Sequence, residues 1–228
     1  YDYYEHHEED LVNLLDKDIY RHGSGKIWYG ETFKFTRSQT FNFNIPNIDQ
    51  SIPARLVTYL ASRDLAGTNS FGVKVGAQSV GNSLLSRTSS NVEHPVAKSR
   101  VDTFKVVNPP SNFAVQLDFQ ASANAEGWLN FLSVNARRNL VFYNGQMNFR
   151  DRESIKYPST AFVISNATNV TVWEVTNTTE VKEQLNEVSG GTFRFGTETI
   201  ELKEFVAFDG SSFLSAEAVG QIDNQNIH

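Results

Sequence analysis

The chain predicts an all-β protein, an antiparallel β-sandwich of jelly-roll type with little helix. Three observations carry this. Apolar and polar residues alternate with a period of two through much of the chain. Turn formers interrupt the alternation at short intervals. The apolar complement is stiff and aromatic, 17 Phe against one Met, which suits the packed interface of two sheets better than a core of adaptable helices. Many short strands joined by turns are the pattern of a sandwich.

The elements follow in order. Phe33-Lys34-Phe35-Thr36, Phe41-Asn42-Phe43-Asn44-Ile45 and Phe71-Gly72-Val73-Lys74-Val75 each alternate. Residues 113–120 alternate longest, placing Phe113, Val115, Leu117 and Phe119 on one face of a sheet whose other face is wet. Pro109-Pro110 separates two strands. The strands from Phe41 to Val134 predict the jelly roll. Those after Tyr157, around Phe162, Val172, Phe193, Leu202 and Phe205, either extend it or form a small second sheet. Asn144-Gly145 lies between Leu140–Tyr143 and Gln146–Phe149 and predicts a two-residue hairpin, because this pair favours a type I′ turn with positive φ at both positions. Ser189-Gly190-Gly191, Phe195-Gly196 and Asp209-Gly210 mark further turns. Helix is expected only in two short pieces: a stripe of Leu11, Val12, Leu14 and Leu15 preceded by acids, and a turn at Val181–Leu185. Residues 1–30 are expected to form an N-terminal arm and residues 31–228 the sandwich region. A cut at 144–145 would split the hairpin, so if a second small β-sheet unit separates from the sandwich, its boundary is expected between 151 and 158.

Composition narrows the function classes. A chain of 228 residues with 39% hydrophobic content buries a substantial core. The net charge of −6 argues against nucleic acid as partner. No apolar run approaches the roughly 20 residues of a membrane-spanning helix. There is no Cys, which excludes disulfides, thiolate metal sites and a Cys nucleophile within these residues. No Gly-x-Ser-x-Gly elbow supplies a Ser nucleophile. The expectation is a non-catalytic chain with no cofactor.

The candidate sites are few. His6, His7 and Asp10, within His6-His7-Glu8-Glu9-Asp10, are the candidate metal ligands. Adjacent side chains diverge, so His6 would have to join Asp10, or His7 a later acid. The competing reading of the run is a solvated acidic arm that docks on another part of a larger protein. Trp28, Tyr29, Trp128 and Trp173 are candidates for a sugar-stacking platform, with core packing as the alternative. Trp28 and Tyr29, beside the Gly-rich Gly23-Ser24-Gly25-Lys26, are the pair expected to be accessible. That loop lacks the Ser/Thr and first Gly of a phosphate-binding loop and reads as a flexible connection. Arg137-Arg138 offers an anion site, with Arg137 as the candidate and surface ion pairing as the alternative. The Asn-x-Thr sequences at 166–168, 169–171 and 177–179 read as turns and strand edges.

The ordered motifs resemble a known family. Tyr3-Tyr4-Glu5-His6-His7-Glu8-Glu9-Asp10-Leu11-Val12-Asn13-Leu14-Leu15-Asp16 resembles the region preceding the catalytic domain in type IX secretion system sortases (the PorU family), which are gingipain-like cysteine peptidases. Trp28-Tyr29-Gly30-Glu31, Gly127–Phe131 with Val134–Arg138, Gln146–Arg150, Val172–Thr176, Glu204–Phe208 and Asn224–His228 follow in the same order. Glu174 stands where the family tends to have Asp. The chain opens without an initiator Met, and the expectation is a fragment of a longer protein. The resemblance implies a non-catalytic N-terminal accessory region of a cell-surface sortase, one that cleaves a sorting signal from cargo through a Cys thioester. It implies two partners: the downstream catalytic domain of the same chain, and an outer-membrane barrel protein of the PorV type. It places the parent at the outer membrane of a Bacteroidetes-type bacterium. The alternative is a carbohydrate-binding β-sandwich module with a glycan as ligand.

Overall fold

The computed structural model describes residues 1–11, 27–91, 94–188, 190–213 and 220. The chain divides into two compact units, Tyr1–Asn139 and Leu140–His228. The division thus falls ahead of the Asn144-Gly145 turn, outside the 151–158 interval expected from sequence.

The first unit contains β1 (Asp2–Glu8), β2 (Ser38–Asn44), β3 (Ala54–Arg63), β4 (Asn69–Val75), β5 (Gln78–Leu85), β6 (Lys98–Val106), β7 (Asn112–Gln120) and β8 (Glu126–Arg137). They form two four-stranded sheets, ordered β1-β8-β3-β6 and β2-β7-β4-β5, with antiparallel pairing throughout. Eight strands shared between two sheets in this order make a jelly roll. The period-two pattern explains the core. Phe113, Val115, Leu117 and Phe119 of β7 and Phe71, Val73 and Val75 of β4 are buried against Leu56 and Leu60 of β3 and Leu129, Leu132 and Val134 of β8.

Residues 2–8, expected in a solvated arm, instead form an edge strand that pairs with β8 from Asp2↔Arg137 to Glu8↔Phe131. An edge of unpaired backbone groups on β8 would otherwise be open to solvent. Where β1 ends, the chain returns to cover the rest of that edge: Gly30 N donates to Leu129 O at 2.8 Å, Leu129 N to Glu31 O at 3.0 Å, and Phe33 N to Gly127 O at 2.8 Å. Phe33 enters the core. A bend at residues 34–35 then turns Phe35 outward, leaving it 89% exposed, so the alternation expected at 33–36 is broken.

The second unit contains β9 (Gln146–Arg150), a 3₁₀ turn (Ser154–Lys156), β10 (Ser159–Ile164), β11 (Thr171–Glu174), β12 (Lys182–Gln184), β13 (Phe193–Glu198) and β14 (Glu204–Phe208). A two-stranded sheet, β10-β13, and a four-stranded sheet, β12-β11-β14-β9, meet through Phe rings. Phe149 lies 5.9 Å from Phe162, and Phe205 lies 5.1 Å from both Phe162 and Phe195.

Several local expectations change here. Asn144 and Gly145 both have positive φ, 57° and 72°, as the turn type demands. They do not close a hairpin: β9 pairs with β14, while Leu140 and Phe142 bond to Ser165. Phe195-Gly196 lies inside β13, and residues 182–184 of the expected helical turn form β12. Asn166 and Asn169 have positive φ, and Asn177 Oδ1 accepts from Thr179 N, so all three Asn-x-Thr sequences sit in turns. The helix expected from Leu11 to Leu15, apart from Leu11, the Gly23–Lys26 loop, Ser189 and the Asn224–His228 motif lie outside the described residues.

Candidate functional site: an aromatic face on the first sheet

The outer face of the β1-β8-β3-β6 sheet carries a run of rings, and a backbone irregularity in β8 aligns them. Between Tyr59↔Phe131 and Leu60↔Leu129 the register shifts by one residue, leaving Asn130 as the extra residue of a β-bulge. Leu129 and Leu132 both enter the core, although they are three positions apart. Trp128 and Phe131, also three apart, consequently share the outer face. Asn130 Nδ2 donates to Trp28 O at 2.7 Å, fastening the returning segment beside the bulge.

The rings follow one another across the sheet. Tyr4 stacks with His6 at 6.0 Å, His6 lies 5.3 Å from Phe131, and Phe131 meets Tyr59 at 5.7 Å. Tyr59 meets Tyr29 at 6.5 Å, and Tyr29 lies 6.5 Å from Trp128. Burial, followed by the neighbouring Tyr59, raises the Tyr29 hydroxyl to a pKa of about 12, so it stays protonated as a packing group. Tyr4 is 54% exposed, and so is Val101, which pairs directly across from Tyr59. One end of the run is therefore accessible beside β1, and the other is closed.

The sequence candidates are distributed as follows. Tyr29, expected to be accessible, is 3% exposed and packs with Trp128 and Ala61. Trp28 is 46% exposed. His6 and His7 diverge: the His6 ring bonds the Tyr4 hydroxyl at 2.9 Å and Glu8 at 2.8 Å, whereas His7 bonds Glu31 at 2.6 Å. Asp10 is exposed. Among the described residues no three His, Cys, Asp or Glu side chains gather as a metal site. Arg137 Nη1 donates to Asp2 at 3.1 Å, the ion pair given as its alternative. Arg138 is buried, its guanidinium 4.4 Å from the Tyr3 ring and 5.4 Å from the Tyr1 ring. In the second unit Trp173 is 40% exposed and edge-on to Phe208 at 4.8 Å.

Sequence reasoning missed Tyr4, Tyr59, Val101 and Phe131. Tyr59 lies between the buried Thr58 and Leu60, and Val101 between Arg100 and Asp102, so local alternation marks neither as outward. The position of Phe131 depends on the bulge, which no local pattern announces.

No family model matches the chain, and no curated protein matches it. Among solved structures, dimeric latent PorU from Porphyromonas gingivalis superposes with a TM-score of 0.77 at 20% identity, covering 99% of this chain and 22% of that one. The C-terminal CBM6 of LamC, a marine laminarinase from Zobellia galactanivorans, reaches a TM-score of 0.26 at 12% identity, covering 46% of this chain and 91% of that one. The chain spans about a fifth of the length of PorU (22%). Across nearly all its residues the chain has the fold of a segment of PorU, the family its ordered motifs resemble.

Proposed function

We propose that this chain is a non-catalytic accessory region of a type IX secretion sortase at the cell surface, and that the accessible end of the aromatic face docks protein. The observation that carries the docking reading is the apolar surface formed by Tyr4 and Val101 around the partly buried Tyr59 and Phe131. Apolar surface of this kind, rimmed by polar groups such as Glu8 and Arg55, is a protein-binding feature. Phe131–Tyr59 and Tyr59–Tyr29 meet edge to face at 89° and 80°; Tyr4 and His6 lie nearer parallel, at 21°, but the His6 ring is engaged by the Tyr4 hydroxyl and Glu8. The absence of Cys keeps a thiolate nucleophile out of this chain. Peptidase and acyl-transfer chemistry thus belong to the remainder of the parent protein, whose catalytic domain and PorV-type barrel partner are the proposed occupants of the face.

The test introduces Tyr4→Asp and Val101→Asp together and measures two things: co-purification of the barrel protein with the intact parent, and capture of a separately produced catalytic domain by this chain. Both side chains are half exposed, so the chain keeps its fold, checked by its melting temperature. A loss of capture of about tenfold or more, the scale of a disrupted interface anchor, supports the proposal. Unchanged capture with cargo sorted normally overturns it. Retardation of the chain in gels containing a polysaccharide, abolished by the same changes, would favour the glycan reading.

A further inference from the structure

Two cations stand side by side at the end of the first sheet where β3 begins. Arg55 on β3 pairs directly across from Lys105 on β6, and both are exposed. Both lie on the outer face, since each is flanked by side chains that enter the core: Ala54 and Leu56 beside Arg55, Phe104 and Val106 beside Lys105. Side chains directly opposite on one face of a sheet have Cβ atoms about 5 Å apart, and like charges placed there repel. The chain as a whole has 26 acidic and 20 basic residues, so acids are not scarce, yet none answers this pair.

The carboxylates around it are committed elsewhere. The loops that border this end of the sheet, residues 45–53, 107–111 and 138–141, are described throughout and carry one acid, Asp49, which accepts from Ser51 N at 3.0 Å and Ser51 Oγ at 2.6 Å. On the sheet, Asp2 accepts from Arg137 at 3.1 Å and Glu8 bonds the His6 ring at 2.8 Å. Asp102 turns to the other side of β6, where it takes Arg100 at 2.7 Å and Ser83 Oγ at 2.6 Å. Arg55 and Lys105 make no ion pair with any described residue. From this pair the outer face becomes apolar: the next matched positions are Val57↔Thr103 and then Tyr59↔Val101, four residues or about 13 Å along the strands.

We propose that the protein segment docking on the aromatic face is an acidic peptide, with carboxylates against Arg55 and Lys105 and an apolar side chain against Tyr59 and Val101, about 13 Å further along. The inference rests on the docking reading above and names the chemistry of what docks. Arg55 offers paired N–H donors to one carboxylate, and Lys105 offers a point charge to another. Repulsion between the two cations in the free chain is relieved when the partner brings the opposite charge, so the pair selects among partners that all satisfy the apolar surface.

The experiment has two arms. In the first, amide spectra of the isotope-labelled chain are recorded against the peptide acetyl-Glu-Glu-Ser-Gly-Val-Phe-amide and its counterpart with Gln in place of Glu. Shifts at residues 55, 57, 59, 101, 103 and 105 are expected with the acidic peptide. Affinity should be about fivefold weaker for the Gln peptide and for the Arg55→Gln, Lys105→Gln double variant, the scale of two exposed ion pairs. It should also weaken as salt rises from about 20 to about 300 mM. Both side chains are exposed, so the variant keeps its fold, which the dispersion of the same spectra checks. No shift at about 10 mM peptide, beyond the millimolar end of specific binding, overturns the proposal, and so do equal shifts with the Gln peptide. The second arm measures capture of the separately produced catalytic domain by the chain carrying Arg55→Glu with Lys105→Glu, or Tyr4→Asp with Val101→Asp. A loss of about tenfold on charge reversal supports the proposal. Capture that the Tyr4 and Val101 changes abolish but charge reversal leaves intact keeps the docking reading and overturns this one. Capture indifferent to both pairs of changes overturns the docking reading, whereas charge-dependent peptide shifts at 55 and 105 would still support an acidic-segment site.

Discussion

His7 on the edge strand β1 and Glu31 on the returning segment share a hydrogen bond of 2.6 Å, and the His7 ring lies 5.0 Å from Phe41 on the edge strand of the opposite sheet. One side chain thus ties β1 to both the chain that continues its edge and the facing sheet. The acidic-looking run at the N-terminus is structural at this position. His7→Ala is expected to lower stability by about 1.5–3 kcal/mol, the scale of a hydrogen bond to a charged group. Removal of residues 1–8 should cost several times more, because it also exposes β8 and the flank of Phe41. Urea midpoints of the two variants check this; equal midpoints for all three proteins would return residues 2–8 to the role of a dispensable arm.

Gly127 opens the core-facing half of β8 opposite the second sheet. A Cβ there would come within 2.7 Å of the Phe71 ring and 3.2 Å of Phe119, rings that are themselves stacked at 4.6 Å. Gly127→Val is expected to destabilise the first unit by about 1–3 kcal/mol through overpacking. Thermal unfolding followed by Trp fluorescence measures it.

Gly145 holds φ at 72°, and a Cβ there would run into the Ser212 side chain. Gly145 O also accepts from Asp209 N at 3.1 Å, so the turn is held against the end of β14. Gly145→Val is expected to cost about 1–3 kcal/mol from backbone strain, and Gly145→Asn distinctly less, since Asn tolerates positive φ. If Val and Asn prove equally harmless, the left-handed conformation is not needed.

Asp118 on the outer face of β7 accepts from Lys74 Nζ at 2.7 Å, Ser38 Oγ at 2.6 Å and Gln116 Nε2 at 2.7 Å. The bond from Lys74, then those from Ser38 and Gln116, lower its pKa from 3.8 to about 2. A carboxyl whose folded pKa is depressed contributes stability above its unfolded pKa and loses it as pH falls through the folded one. The contribution, about 1 kcal/mol for a partly exposed pair, should be complete above pH 5 and vanish between about pH 4 and pH 2. The difference in stability between wild type and Asp118→Asn, measured across that window, should shrink toward zero. A difference that is constant with pH would show that the ion pair does not stabilise the fold.

The sequence by itself determined the fold class, the inward set of β7 and the left-handed turn at 144–145. Each is a local matter: a period of two settles which side of a strand is apolar, and only a few residues adopt positive φ. Tertiary structure alone decided which strands pair. Asn144-Gly145 turns the chain as its conformational preference requires, yet β9 finds its partner in β14, some 60 residues away, because Phe149 and Phe205 stack at 5.1 Å. Tertiary structure also turned a hydrophilic N-terminal run into β1, since the open edge of β8 supplies backbone partners whatever the side chains are. The aromatic face was partly legible as separate rings at 28–29 and 128. Its continuity depends on the Asn130 bulge, which reverses the phase of β8, and on Tyr59 arriving from a strand some 70 residues earlier.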